Sequence, residues 1–181
     1  MPRDFEGSAG TPARAPITAS LLDTMKHLLS AFLLLVLSFA TQAADLSITA
    51  ASVKPSTDAV TRTLTAGEAL TAGQLVYRSS SDFKIYKADA DHATAANRDV
   101  YGVAVTGAAS GGLVIVCLED PNLTIGATVS NGTVYVLSAT AGGIAPLADA
   151  TTGWYPTVVA IGKSASVVAF RAKGIRSATA L

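Results

Sequence analysis

Charge is scarce in this sequence. Only 14% of its 181 residues are Asp, Glu, Lys or Arg, and the 13 basic side chains cancel the 13 acidic ones. A chain that grips nucleic acid needs clustered Lys and Arg to displace counterions from phosphates. No basic run occurs here, so no nucleic-acid partner is expected. Cysteine is scarcer still: Cys117 alone can form no internal disulfide and cannot supply the four ligands of a structural zinc. Aromatic residues make up 6% of the chain, and no segment carries a long helical period of apolar residues. With only His27 and His92, no Ser, His and acid combination emerges either. The chain is therefore read as not an enzyme, with no catalytic, cofactor or metal residues assigned.

What is abundant is Ala, Thr, Val, Gly and Ser, and half of all residues are apolar. Small β-branched side chains between permissive turn residues are the composition of short strands. The N-terminal quarter departs from it. From Met25, Lys26 and His27 precede an apolar stretch beginning at Leu28, and small residues follow up to Ala43, which is the layout of a secretory signal peptide. The 13 residues from Leu28 to Ala40 fall short of the roughly 20 that a bilayer-spanning helix needs. No stable membrane anchor is expected once this leader is removed. Residues 1–24 read as upstream non-coding sequence in translation, or as a disordered leader. Cleavage after Ala43 removes Arg3, Arg14 and Lys26 together with Asp4, Glu6 and Asp23, so the charge balance persists. The remaining domain is large enough to bury roughly two-thirds of its unfolded surface.

Beyond Ala43 the apolar runs are short and closely spaced, as in a single-domain all-β sandwich or barrel. An extended N-terminal arm over 44–66, a β-domain over 67–173 and a flexible C-terminus over 174–181 follow from the composition. Leu46, Ile48 and Ala50 alternate with Ser47 and Thr49, giving a half-buried strand at the start of that region. Gln74 to Arg78 and Phe83 to Lys87 form a hairpin joined by four polar residues. Val100 to Val105 places Tyr101, Val103 and Val105 on one face, and Leu113 to Leu118, apolar on both faces, reads as central and buried. A second hairpin spans Thr128 to Leu137 about Asn131-Gly132. The last strands are Thr157 to Ile161 and Val167 to Phe170. The single helical candidate is a turn or two within Ala88 to Ala96. Arg171, Lys173 and Arg176 are spaced by small residues and read as a fraying end.

Few groups carry potential chemistry. Asp89, Asp91 and His92 could hold a metal, but they read as a solvated polar turn. Cys117 could be a nucleophile only beside a base; its alternation with Leu113 and Ile115 makes it a small core residue instead. Trp154-Tyr155-Pro156 could stack on a sugar, though packing is the better reading in a core otherwise built of Val and Ala. Asn122-Leu-Thr124 and Asn131-Gly-Thr133 match the glycosylation tripeptide and read as turn chemistry.

An ordered series of five segments carries a resemblance. They run from Leu64 to Tyr77, from Val100 to Val105 with Gly111-Gly112 after it, from Leu123 to Val136, from Gly142 to Pro146, and from Val159 to Gly162. In order and spacing they resemble the small decoration, or cement, proteins of tailed-phage capsids, over nearly all of Thr63 to Arg171. The resemblance implies a β-rich virion protein that sits on the capsid exterior as a homotrimer. It would bind the major capsid protein and strengthen the head without doing chemistry. The leader departs from this family, whose heads assemble in the cytoplasm. It favours instead an exported bacterial β-domain, possibly of prophage origin, acting as a periplasmic or surface adhesion module.

Overall fold

The computed structural model describes residues 45–173 and 177–181. The leader expectations for 1–43, and Arg176, lie outside these residues. Nine strands form one antiparallel sheet that curls into a half-barrel: β1 (Val60–Thr65), β2 (Leu75–Arg78), β3 (Ile85–Lys87), β4 (Gly102–Ala104), β5 (Leu113–Thr124), β6 (Val134–Leu137), β7 (Ile144–Pro146), β8 (Val158–Gly162) and β9 (Val167–Arg171). Their spatial order is β3-β2-β4-β5-β9-β8-β6-β7, with β1 paired to β5. The all-β expectation holds. Among the described residues no helix is long and apolar enough to cross a membrane.

Period-two alternation builds two cores on opposite faces of the sheet. Leu75, Val103, Cys117 and Phe170 belong to the larger cluster, while their neighbours Val76, Ala104 and Val116 belong to the smaller. Each adjacent pair thus divides between the faces. The strand that organises both clusters is β5, which is flanked over its first half by β1 and β4. Cys117 lies opposite Thr61 on one edge and Val103 on the other. Its second half pairs with β9.

Two irregularities reset the alternation of β5. Val60 lies opposite Glu119 and Thr61 opposite Cys117, so Leu118 is an extra residue in the ladder. Asp120 lies opposite Phe170 and Leu123 opposite Val168, so the strand carries another extra residue at Pro121-Asn122. Such bulges bend a strand and turn its following side chains to the other face, and proline, lacking an N–H, suits them. This corrects the expectation that Leu113 to Leu118 is buried on both faces. Val114, Val116 and Cys117 are fully buried, but Leu113 is 70% exposed and Ile115 37%. Cys117 is covered although it shares their parity, because the core closes over that face only near the bulge.

Other expectations shift for similar non-local reasons. Leu46 and Ile48 pack against the larger core, yet form no strand. Their segment is tied by single bonds, with the Leu46 N–H donating to Ile144 and the Thr49 N–H to Gly126, and it ends in a 3-10 turn at Ala50–Ser52. The expected free arm is instead bound down: β1 occupies one edge of β5, and Lys54 pairs with Thr124. The β2–β3 hairpin is present, but its register runs from Arg78 opposite Ile85, so the loop is longer than four residues. Phe83 lies in that loop with φ of 60°. Tyr101 packs with the smaller cluster rather than beside Val103, because β4 begins only at Gly102.

The Asn131-Gly132 turn forms, with Gly132 at φ 77°, but it closes no hairpin. Residues 128–130 are not a strand, and β6 pairs with β7 and β8 instead. The expected helical turn is a 3-10 segment at Ala95–Arg98. The two strands expected last, β8 and β9, are present and pair antiparallel. At the C-terminus Arg171 belongs to β9, and Leu181 exchanges backbone hydrogen bonds with Gly153 and Trp154.

Candidate binding surface

The residues with possible chemistry are held in ways that occupy them. His92 Nδ1 accepts from the Thr94 N–H at 3.0 Å, and its Nε2 lies 3.2 Å from the Asn97 amide. Both ring nitrogens are engaged within the loop. Burial, then a side-chain hydrogen bond to Asp91, pushes the Asp89 carboxyl up to about 6, since losing solvent and facing a second carboxylate both disfavour charge. Among the described residues no group of three or more His, Cys, Asp or Glu could hold a metal ion. The Cys117 thiol points at the Glu119 carbonyl at 3.5 Å. Burial, with the Asp120 charge adding to it, pushes this thiol up to about 12, so thiolate is not formed at neutral pH. Trp154 is buried in the larger cluster, and the Arg98 guanidinium lies 3.6 Å above the Tyr155 ring centroid. The Asn122 side-chain oxygen accepts from Lys163 Nζ at 2.7 Å, while Asn131 sits on its exposed turn.

One polar cluster was not singled out in the sequence. Asp120 is fully buried, and its carboxylate accepts from the Ser56 N–H at 2.7 Å, the Ser56 hydroxyl at 2.5 Å and the Asn122 N–H at 2.8 Å. A buried carboxylate is tolerated when its lone pairs are satisfied in this way. Asp120 thereby clamps residue 56 to the β5 bulge. The signal in the sequence was an Asp-Pro-Asn run within an apolar strand.

Beside that bulge the sheet surface is hollowed. One hollow of about 570 Å³ is lined by Val60, Arg62, Tyr101, Leu118, Arg171 and Lys173. An adjoining one of about 410 Å³ is lined chiefly by Pro121, Val158, Ile161 and Ala169. Glu119 and Arg171 line both and are joined at 2.6 Å across exposed side chains. Val60 is 52% exposed and Ile161 47%, so large aliphatic side chains stand open on either side of this ion pair. The first hollow lies at the margin of the smaller cluster, where Tyr101 and Leu118 are only partly buried against it. On the opposite face Leu113 and Ile115 stand open, opposite Thr65 and Thr63 of β1.

No family model matches the chain, and no curated protein matches it.

Proposed function

We propose that the chain is a structural virion protein that binds the outer surface of a phage capsid and stabilises the head. Its partners on this reading are the major capsid protein and further copies of itself, in the trimeric arrangement that the sequence resemblance implies. The observation that carries the proposal is the set of large aliphatic side chains, Val60, Leu113, Ile115 and Ile161, exposed on β1, β5 and β8. Leu113 with Ile115, and separately Val60 and Ile161 beside the groove, put exposed apolar side chains on rigid strands, and apolar patches of this kind mark interaction surfaces. A protein that binds only the assembled lattice shifts the equilibrium away from disassembly, and many weak contacts held in one lattice add through effective concentration. The order of the five resembling segments, which fall on β2, β4, β5 to β6, β7 and β8, supports the same reading.

The leader-like segment from Met25 to Ala43 favours a second reading, an exported adhesion module in the periplasm or on the cell surface. Intact mass and N-terminal sequencing, applied to purified phage particles and to a periplasmic extract, separate the two. Stoichiometric recovery from heads, with release of a Leu113→Lys, Ile115→Lys variant on washing, is the expected result. Recovery from the periplasm alone, beginning at Ala44, overturns the capsid proposal in favour of the adhesion module.

A further inference from the structure

We propose that the groove astride Glu119 and Arg171 takes an acidic, extended polypeptide segment of a protein partner. Its carboxylates would meet Arg62, Arg171 and Lys173, and its aliphatic side chains would settle beside Ile161. This rests on the reading of the chain as a surface-binding protein and names the chemistry of what is bound. The whole chain is neutral, yet the groove gathers three cations around one carboxylate. Glu119 is joined to Arg171, and among the described residues neither Arg62 nor Lys173 forms an ion pair. Local positive charge of this kind is complementary to an acidic segment. The adjoining hollow of Val158, Ile161 and Ala169 demands apolar groups from the same ligand. That demand favours a polypeptide over a nucleic acid, which would bring phosphates and bases to a site with three cations and two lining aromatics, Tyr101 and Phe170, the latter buried in the core.

The extended form follows from β1. This strand forms a ladder with β5 on one edge, and among the described residues no ladder runs along its other edge. Backbone groups of an unpaired edge accept an added strand, and alternate side chains of that strand then read the adjoining face. Val60 and Arg62 belong to β1 and line the groove; from there its lining continues across β5 and β9 to Ile161 on β8, so a segment anchored at this edge crosses the strands in extended form to reach the apolar end.

Fluorescence anisotropy on the full-length protein tests this with three probes. They are a short labelled peptide alternating Glu with Val and Thr, the same peptide with Lys for Glu, and an oligo-dT strand. The acidic peptide is expected to bind, more weakly as salt rises, and the other two to bind at least tenfold less well. Arg62→Glu combined with Lys173→Glu, and separately Ile161→Asp, are each expected to weaken the acidic peptide about tenfold or more. Lys84→Glu, outside the groove, leaves it unchanged. Thermal melts check folding, and Arg62→Gln with Lys173→Gln replaces the reversal if that variant melts early. No binding of the acidic peptide, equal binding of the Lys peptide, tighter binding of oligo-dT, or indifference to the groove variants overturns the proposal. A protein that remains on heads but ignores the peptide loses the groove assignment alone. One that binds the peptide but never heads loses the capsid reading alone.

Discussion

Single residues hold the described domain together where its strands are irregular. Asp120 does so through three hydrogen bonds to a buried carboxylate, two of them from Ser56. Asp120→Ala leaves those donors unpaired beside the core and is expected to lower stability by about 3 kcal/mol. Urea denaturation measures this, and a cycle with Ser56→Ala should show coupling between the two sites. Asp89 acts in the opposite sense. Its folded carboxyl is raised to about 6, first by burial, against an ordinary 3.8. The folded state therefore holds this proton more tightly than the unfolded chain does. The resulting stabilisation is fully present below pH 3.8 and is lost as pH rises through about 6. Melting temperatures followed across that window should reveal a component of the pH dependence that Asp89→Asn removes. Partial exposure to solvent keeps the effect small.

At the scale of the element, backbone approach separates glycines that look alike in sequence. A Cβ at Gly102 would meet a Val116 methyl and the Cys117 carbonyl oxygen at 2.5 Å, the latter being backbone that cannot rotate away. Gly102→Ala should push β4 off β5 and cost roughly 1–3 kcal/mol as overpacking does. Gly132 has nothing within 4 Å but has φ +77°, so Gly132→Ala should cost only about 1 kcal/mol, from backbone strain alone. Gly132→Asn should come closer to neutral, since Asn tolerates that conformation. Chemical denaturation of the three variants separates steric crowding from conformational strain. The element scale also explains the readings that shifted. A two-residue turn was legible at Asn131-Gly132, but whether the strands beside it pair depends on which strand takes the edge of β6, and β8 takes it.

Across the described domain, apolar burial on both faces of one curled sheet carries the stability, and ion pairs contribute little. The three salt bridges among the described residues, Lys84–Asp82, Lys87–Glu68 and Arg171–Glu119, all involve side chains that are at least partly exposed to solvent. Surface pairs of this kind contribute about 0–1 kcal/mol each and are screened by salt. The melting temperature should therefore change little between low and high sodium chloride, as calorimetry would show. Binding of an acidic segment at the groove should weaken over the same range. A strong salt dependence of unfolding would mean that charge carries part of the fold.

The sequence by itself determined the class of fold and the identity of most core residues. Alternation of period two and the spacing of Gly, Asn and Ser act within a few residues of themselves, so the strands of β2 with β3 and of β8 with β9 could be read locally, whereas Cys117 is buried although Leu113 and Ile115, with which it alternates, are exposed. Tertiary structure alone decided where that alternation is reset, which strand lies beside which, and therefore where the surface is hollow. The extra residues at Leu118 and Pro121 shift parity only because β1 and β9 pair around them. Val60, Arg62, Tyr101, Ile161 and Arg171 come from three different strands and the lead-in to a fourth. They share a groove because long-range backbone pairing brings those strands together, and no pattern confined to neighbouring residues encodes that pairing.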